Sequence, residues 1–196
     1  MEAAERLFSE KGYEQTTIED ISKASEYSRR TIYAYYDSKG DILHHIIEKS
    51  LQSLKADIES SVNNNAGFVE AFRAVCSAMN RYRTECPHSL ESLKRSGAAK
   101  IEQSAISNTV KSILRLGTEI NDILEAFIAR GQKSGEVRKD VVPVLTVYVL
   151  STSLDSLLAL VETNGKFICA QNGMTEDEFL DYGFRQIVNS ILEVRI

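Results

Sequence analysis

Residues 28–39 read Ser-Arg-Arg-Thr-Ile-Tyr-Ala-Tyr-Tyr-Asp-Ser-Lys, a short stretch crowded with cations, hydroxyls and phenols. Each type has a use against a polyanion that carries base edges. An arginine fork pairs bidentately with guanine O6 and N7, so Arg29 and Arg30 can read sequence. Thr31 offers a hydroxyl and a methyl, suited to a base edge or a thymine methyl. Tyr33 and Tyr35 place phenol O–H groups on rigid stems, able to donate to phosphate oxygens. Thr17 and Lys39 stand where helices should begin, and the free N–H groups of a helix start favour phosphate.

The same residues have plainer readings one at a time. An Arg-Arg pair is usually a solvated helix face, and tyrosines at these spacings often serve a core or a subunit contact. What tips the balance is their setting. Thr17 can cap a helix with Asp20 three residues on, in capping-box spacing, while Ile18, Ile21 and Ala24 face inward. That helix ends near Ala24. Ser25-Glu26-Tyr27 makes a brief turn, and Ser28 can cap a further helix to about Tyr35. Two short helices joined by three residues have helix–turn–helix spacing. Ile32 and Tyr36 would turn inward, towards Leu7, Phe8, Ile18 and Ile21, leaving Arg29, Arg30, Thr31, Tyr33 and Ala34 on the outside.

Charge is consistent with that face. The 196-residue chain carries a formal net charge of −5, yet Ser22 to Lys39 holds four cations against two anions. Binding DNA needs a basic face, not a basic protein.

Other chemistries find little support. Cys76, Cys86 and Cys169 are odd in number and widely spaced, which argues against a disulfide framework or a zinc site. His44, His45 and His88 have no metal-binding spacing, since adjacent helical residues diverge by about 100°. There is no nucleophile–base pair or phosphate loop, so neither an enzyme nor a resident cofactor is expected. The opening Met1-Glu2-Ala3-Ala4-Glu5-Arg6 is acidic where a secretory signal is basic. The most apolar run, Val141 to Val161, is interrupted by Asp155 and reads as a buried helix rather than a membrane span. A cytoplasmic protein with no membrane association is expected.

The elements that position these groups are helical throughout. Two prolines and ten glycines give little punctuation for strands. Ala3, Ala4, Leu7 and Phe8 mark a first helix ended by Gly12. Ser38 starts a long helix with Asp41 at its third position and Ile42, Leu43, Ile46, Ile47 and Leu51 on its apolar face. Asn63-Asn64-Asn65-Ala66-Gly67 interrupts the pattern. Beyond it, helices are expected near 67–85, 88–95, 99–115 and 117–133, the last two continuous or kinked at Gly117. A turn region follows over Gly131 to Lys139, then a helix capped by Asp140, and a last helix opened by Thr175 and Glu178.

From Ala3 to Leu43 the chain resembles the N-terminal module of the TetR family of transcriptional repressors: Ala-Ala-Glu-Arg-Leu-Phe, Lys-Gly-Tyr, Thr-Thr-Ile, the helix–turn–helix, and Thr-Ile-Tyr-Ala-Tyr-Tyr-Asp-Ser-Lys. The resemblance implies an all-α fold: a three-helix DNA-binding module with helix–turn–helix at 1–45, and a helical effector-binding and dimerisation domain at 46–196. It implies DNA contacts from Thr17, Arg29, Arg30, Thr31, Tyr33, Tyr35 and Lys39. It also implies a homodimeric repressor on a palindromic double-stranded operator, released by a small-molecule effector.

Three features depart from the family. Glu26 stands where a glycine is usual, a left-handed position that costs another residue about 1 kcal/mol. Arg30 replaces a small residue. Met1 falls within the first helix, and the helical turn that precedes it in the family is not in this sequence. The candidate effector pocket draws on Phe72, Cys76, Met79, Tyr82, Ile113, Tyr148, Thr152 and Asp155, which mix apolar bodies with a few polar tips. Many of these also read as plain core. The helix from about Val141 to Thr163 is apolar on nearly every side and demands cover. A four-helix dimer interface with the last helix would supply it. The alternatives are an activator or DNA-bound adaptor acting through protein partners, and a helical ligand carrier whose DNA-binding module has degenerated.

Overall fold

The computed structural model describes residues 1–64, 67–85 and 107–194. Among them the regular elements are helices: α1 Glu2–Lys11, α2 Ile18–Ser25, α3 Arg29–Tyr35, α4 Lys39–Asn64, α5 Phe68–Glu85, α6 Asn108–Ser134, α7 Pro143–Asn172 and α8 Glu176–Asn189. The helix expected at 88–95 and the start of that at 99–115 lie outside the described residues. The chain forms two compact units, Met1–Lys55 with Arg81–Thr118, and Ala56–Asn80 with Glu119–Ile196. Helix α4 runs through residue 45 without a break.

In the first unit, α1 buries Ala4, Leu7 and Phe8 and stops at Gly12, whose φ of +83° suits glycine. Thr16 is fully buried, and its hydroxyl donates to the carbonyls of Leu7 (3.2 Å) and Gly12 (2.8 Å), tying the turn after α1 back onto that helix. The next three helices start as the sequence suggests. Thr17 and Asp20 form a full capping box, with both the Thr17 N–H and its hydroxyl bonded to the Asp20 carboxylate at 2.9 and 2.7 Å. Ser28 accepts from the Thr31 N–H, and Ser38 from that of Asp41. Ile42, Leu43, Ile46, Ile47 and Leu51 of α4 are buried.

In the second unit, Phe68 stacks on Phe127 with ring centroids 4.3 Å apart. A Cβ at Gly131 would lie 2.6 Å from Val137 and 2.7 Å from the Phe68 ring, so only glycine lets α6 come this close. Beyond α6 the chain folds back. Glu136 accepts from the Phe68 N–H at 3.0 Å and the Ser134 hydroxyl at 2.7 Å. An antiparallel bridge pairs Val137 with Leu192. The Gln132 amide donates to the carbonyls of Arg138 and Val141, both at 2.9 Å, holding the approach to α7.

One open alternative is settled and two expectations are revised. Helix α6 passes through Gly117 unbroken, because Ile113, Leu116 and Ile120 keep one buried stripe across it. The expected turn at Gly131 begins later, after Ser134. Asp140 does not cap α7. The helix starts at Pro143 behind Val142 with no side-chain cap, since proline lacks the N–H a cap would satisfy and its φ suits the first turn. Asp140 pairs instead with Arg138 at 3.2 Å.

Helix α7 carries two faces. Val147, Leu150, Leu154, Leu158, Val161, Gly165 and Cys169 form a buried stripe, and α8 packs along this helix. Leu145, Tyr148, Val149, Leu160 and Phe167 stand exposed on another stripe. Among the described residues, α7 alone is long and apolar enough to cross a membrane, with a mean hydropathy of 1.8 in its most apolar window.

Candidate nucleic-acid interface

The interface is assembled from short-range bonds. Glu26 adopts the left-handed conformation at the end of α2, φ +61° and ψ +10°, and it is the one non-glycine residue with positive φ among those described. The turn it makes is held by the Ser22 hydroxyl, which donates to the Tyr27 carbonyl at 2.6 Å. Ser28 then caps α3, its hydroxyl lying 2.8 Å from that of Thr31. Ile32 is the buried anchor of α3.

With that side inward, the first turn of α3 exposes Arg29 and Arg30, and the helix further exposes Tyr33 and Tyr35, the latter 77% accessible; Tyr27 of the turn is 64% accessible. Cations in the first turn oppose the helix macrodipole, each at a cost of about 0.3–1 kcal/mol. Helices α1, α2, α4, α5 and α8 instead place acids in their first turns. Stability alone would not place two arginines at this position; an anionic ligand would.

The remaining basic groups are less available. Lys23 is bonded to Glu19 at 3.0 Å, and that bond, with lesser help from Arg29, lowers the Glu19 pKa. Lys39 sits at the first turn of α4, where its ammonium donates to the carbonyls of Tyr13 (2.8 Å) and Thr16 (3.0 Å) over the Tyr13 ring at 4.3 Å. Two of its three N–H groups are thereby committed, and one is left. Thr17 is exposed at the start of α2 with its hydroxyl on Asp20, whose own pKa is lowered by that side-chain bond and by the Thr17 N–H. Sequence reasoning missed the roles of Thr16 and Tyr13, because Lys39 reaches them across more than twenty residues.

The second unit contains a cavity of about 30 Å³ between α5, α6 and α7. Phe72, Cys76 and Met79 of the expected effector set line it. The structure does not bring the others to this cavity. Tyr148 and Thr152 are exposed on the outer stripe of α7, Asp155 is half-buried, and Tyr82 and Ile113 belong to the first unit. Lining residues that were not anticipated include Phe127 and Ile128 of α6, and Val147, Leu150, Ser151 and Leu154 of α7. The signal for the last four was their i, i+3, i+4, i+7 spacing, which marks one helix face. Burial pushes the Cys76 thiol up to about 12, so it is a neutral, inert wall.

Comparison with known proteins agrees with this geometry. The sequence profile of "Bacterial regulatory proteins, tetR family" matches residues 1–46. The HTH-type transcriptional repressor DhaR of Mycobacterium sp. (strain GP1) is 22% identical over 97% of this chain and 91% of its own length. The biofilm operon icaADBC HTH-type negative transcriptional regulator IcaR of Staphylococcus epidermidis is 45% identical, over 21% of this chain and 23% of its own. Among solved structures, the TetR family transcriptional regulator PfmR from Thermus thermophilus superposes with a TM-score of 0.68 at 26% identity, over 93% of each chain.

Proposed function

This chain belongs to the TetR family of helix–turn–helix transcriptional regulators, and on that premise we propose that it is a homodimeric repressor released from a palindromic operator by a small molecule. The protein is a DNA-binding regulator, and its relatives are regulators of transcription, repressors among them. The observation that carries its sequence-specific DNA binding is the first turn of α3. There Arg29 and Arg30 are presented on a helix whose start, turn and buried side are all pinned.

In this reading Arg29, Arg30 and Thr31 read base edges, while Thr17, Tyr33, Tyr35 and the remaining N–H of Lys39 meet phosphates. The residue 1–45 module carries this work, and residues 46–196 carry effector binding and dimerisation. The exposed apolar stripe of α7 supports self-association: Leu145, Tyr148, Val149 and Phe167 recur on one helix face and demand cover. A two-fold pairing along α7 and α8 would present two copies of α3 to successive half-sites. A regulator of this kind works in the cytoplasm.

The test is a titration by fluorescence anisotropy against DNA upstream of the protein's own gene and against scrambled DNA, at several salt concentrations. The wild type should prefer its own upstream DNA. Arg29→Ala/Arg30→Ala should lose that preference, at about 1–3 kcal/mol for each bidentate pair, with a thermal midpoint at or above that of the wild type. Equal binding of both DNAs by wild type and variant would sink the assignment of base readout to α3.

A further inference from the structure

We propose that the cavity between α5, α6 and α7 takes an uncharged, chiefly apolar ligand, an alkyl chain or small hydrocarbon body with at most one hydrogen-bonding group, entering apolar end first with that group left at Ser151. Naming this ligand the effector rests on the repressor reading above; its chemical class rests on the cavity alone.

The lining decides the class. Among the described residues, no Asp, Glu, Lys, Arg or His contributes to it, and the side-chain polar atoms are the Ser151 hydroxyl and the Cys76 thiol. The thiol, with burial holding its pKa near 12, supplies no charge. An ammonium or carboxylate brought inside would lose its hydration with no ion to replace it, a penalty that persists after the surroundings relax. An alkyl chain loses nothing of the kind, and gains with each CH₂ taken from water. Sites that recognise charged ligands keep a paired charge at the point of contact, and this lining has none to offer.

Burial gives the direction. Cys76 is 0% exposed, with Val147, Ile128 and Leu154 each at 3%, and these form the floor. Met79, Leu124 and Ser151 are half-buried and form the mouth. A volume of about 30 Å³ has room for about two waters, and an apolar hollow of that size stays dry. A ligand must therefore widen the cavity as it enters. Met79 is the wall suited to yield, being unbranched with three rotatable bonds and a polarisable sulfur. The polar end of the ligand then meets the Ser151 hydroxyl at the rim, the one place in the described lining where a neutral donor or acceptor finds a side-chain oxygen.

The experiment compares three probes of one chain length at pH 7, 1-octanol, octanoate and octylammonium, by thermal unfolding and by anisotropy of the DNA complex. Octanol should raise the thermal midpoint, and should do so at a concentration about tenfold or more below either ion, a factor that corresponds to about 1.4 kcal/mol. Met79→Trp, at the mouth, should abolish the octanol shift in a protein that still unfolds cooperatively. Ser151→Asp, on the half-buried rim, should weaken octanol and octanoate and favour octylammonium, and it keeps the test alive if Met79→Trp fails to fold. An ion that stabilises as well as octanol, no octanol shift at all, or a preference unmoved by Ser151→Asp would overturn the proposal. The two readings also separate. Octanol that stabilises the protein but leaves DNA affinity unchanged supports the ligand class and removes the release mechanism. DNA release by either ion without octanol binding does the reverse.

Discussion

Helix α3 and the α5–α6–α7 cavity are the two regions to which we assign ligands, DNA for the one and an apolar small molecule for the other, and they are built on opposite terms. Helix α3 is seven residues long and buries one of them deeply, Ile32. Its position depends on caps and a turn, bonds made between residues three to five apart. Its outward groups are charged or phenolic and contribute little to stability. The cavity is the reverse: side chains from three long helices, nearly all apolar, most of them part of the core that holds the second unit together. A surface that binds a polyanion can thus be altered at small cost to the fold. A hollow inside a core cannot, because its walls are also the packing.

Substitutions can test that contrast. Phe127→Ala removes a ring that stacks on Phe68 and lines the cavity. It should cost about 3–5 kcal/mol in urea unfolding, far more than the Arg29/Arg30 double variant, which should cost almost nothing by the same assay. Comparable costs for the two would break the contrast.

Lys39→Met probes a residue between the two kinds. It deletes two bonds to the carbonyls of Tyr13 and Thr16, worth about 1–2 kcal/mol once partial exposure is allowed for. Lys39→Met should therefore lower the thermal midpoint, and should reduce the salt slope of DNA binding by about one at most, since a single N–H remains for phosphate. A large drop in the salt slope with an unmoved melting midpoint would make it a phosphate contact first.

Glu26→Gly relieves the left-handed position in the turn and should raise stability by about 1 kcal/mol, seen as a higher thermal midpoint. A lower midpoint would mean that the Glu26 side chain makes a compensating contact.

The smallest effect concerns pH. The Phe68 N–H, and after it the Ser134 hydroxyl, hold the Glu136 carboxyl below its ordinary value of 4.5. Because the folded pKa is depressed, this carboxylate stabilises the fold above the unfolded value, and the contribution fades as pH falls through the folded one. Glu136→Gln should be slightly less stable than wild type at pH 7, and the gap should close in unfolding curves taken below about pH 4.5. A gap independent of pH would assign the effect to packing alone.

These cases also show which parts of the molecule were legible before the structure. The left-handed turn at Glu26 was implied by the family resemblance, whereas the capping boxes at Thr17 and Asp20 and at Thr175 and Glu178, and the cap at Ser28, were readable from the residues themselves. Each is a bond or backbone state set by residues within one turn of each other, where spacing in the sequence equals spacing in space. Asp140 was misread because Pro143, three residues on, sets the helix start without any cap.

The cavity was only partly legible. Phe72, Cys76 and Met79 share a face of α5 and were anticipated, but Tyr148 and Thr152 of α7 lie on its outer stripe. On a helix apolar nearly all round, periodicity shows that several stripes exist and does not say which one turns inward.

The all-helical class, the short capped helices and the basic, phenolic face of α3 were therefore written into the sequence itself, since local bonds and a 3.6-residue period suffice to specify them. The anchoring of Lys39 on the carbonyls of Tyr13 and Thr16, the reach of Glu136 to the Phe68 N–H sixty-eight residues away, and the choice of Val147, Leu150, Ser151 and Leu154 as a cavity wall were decided in the tertiary structure. Each requires segments distant in the chain to close on one another, and only the packing of the whole helices determines which of their faces meet.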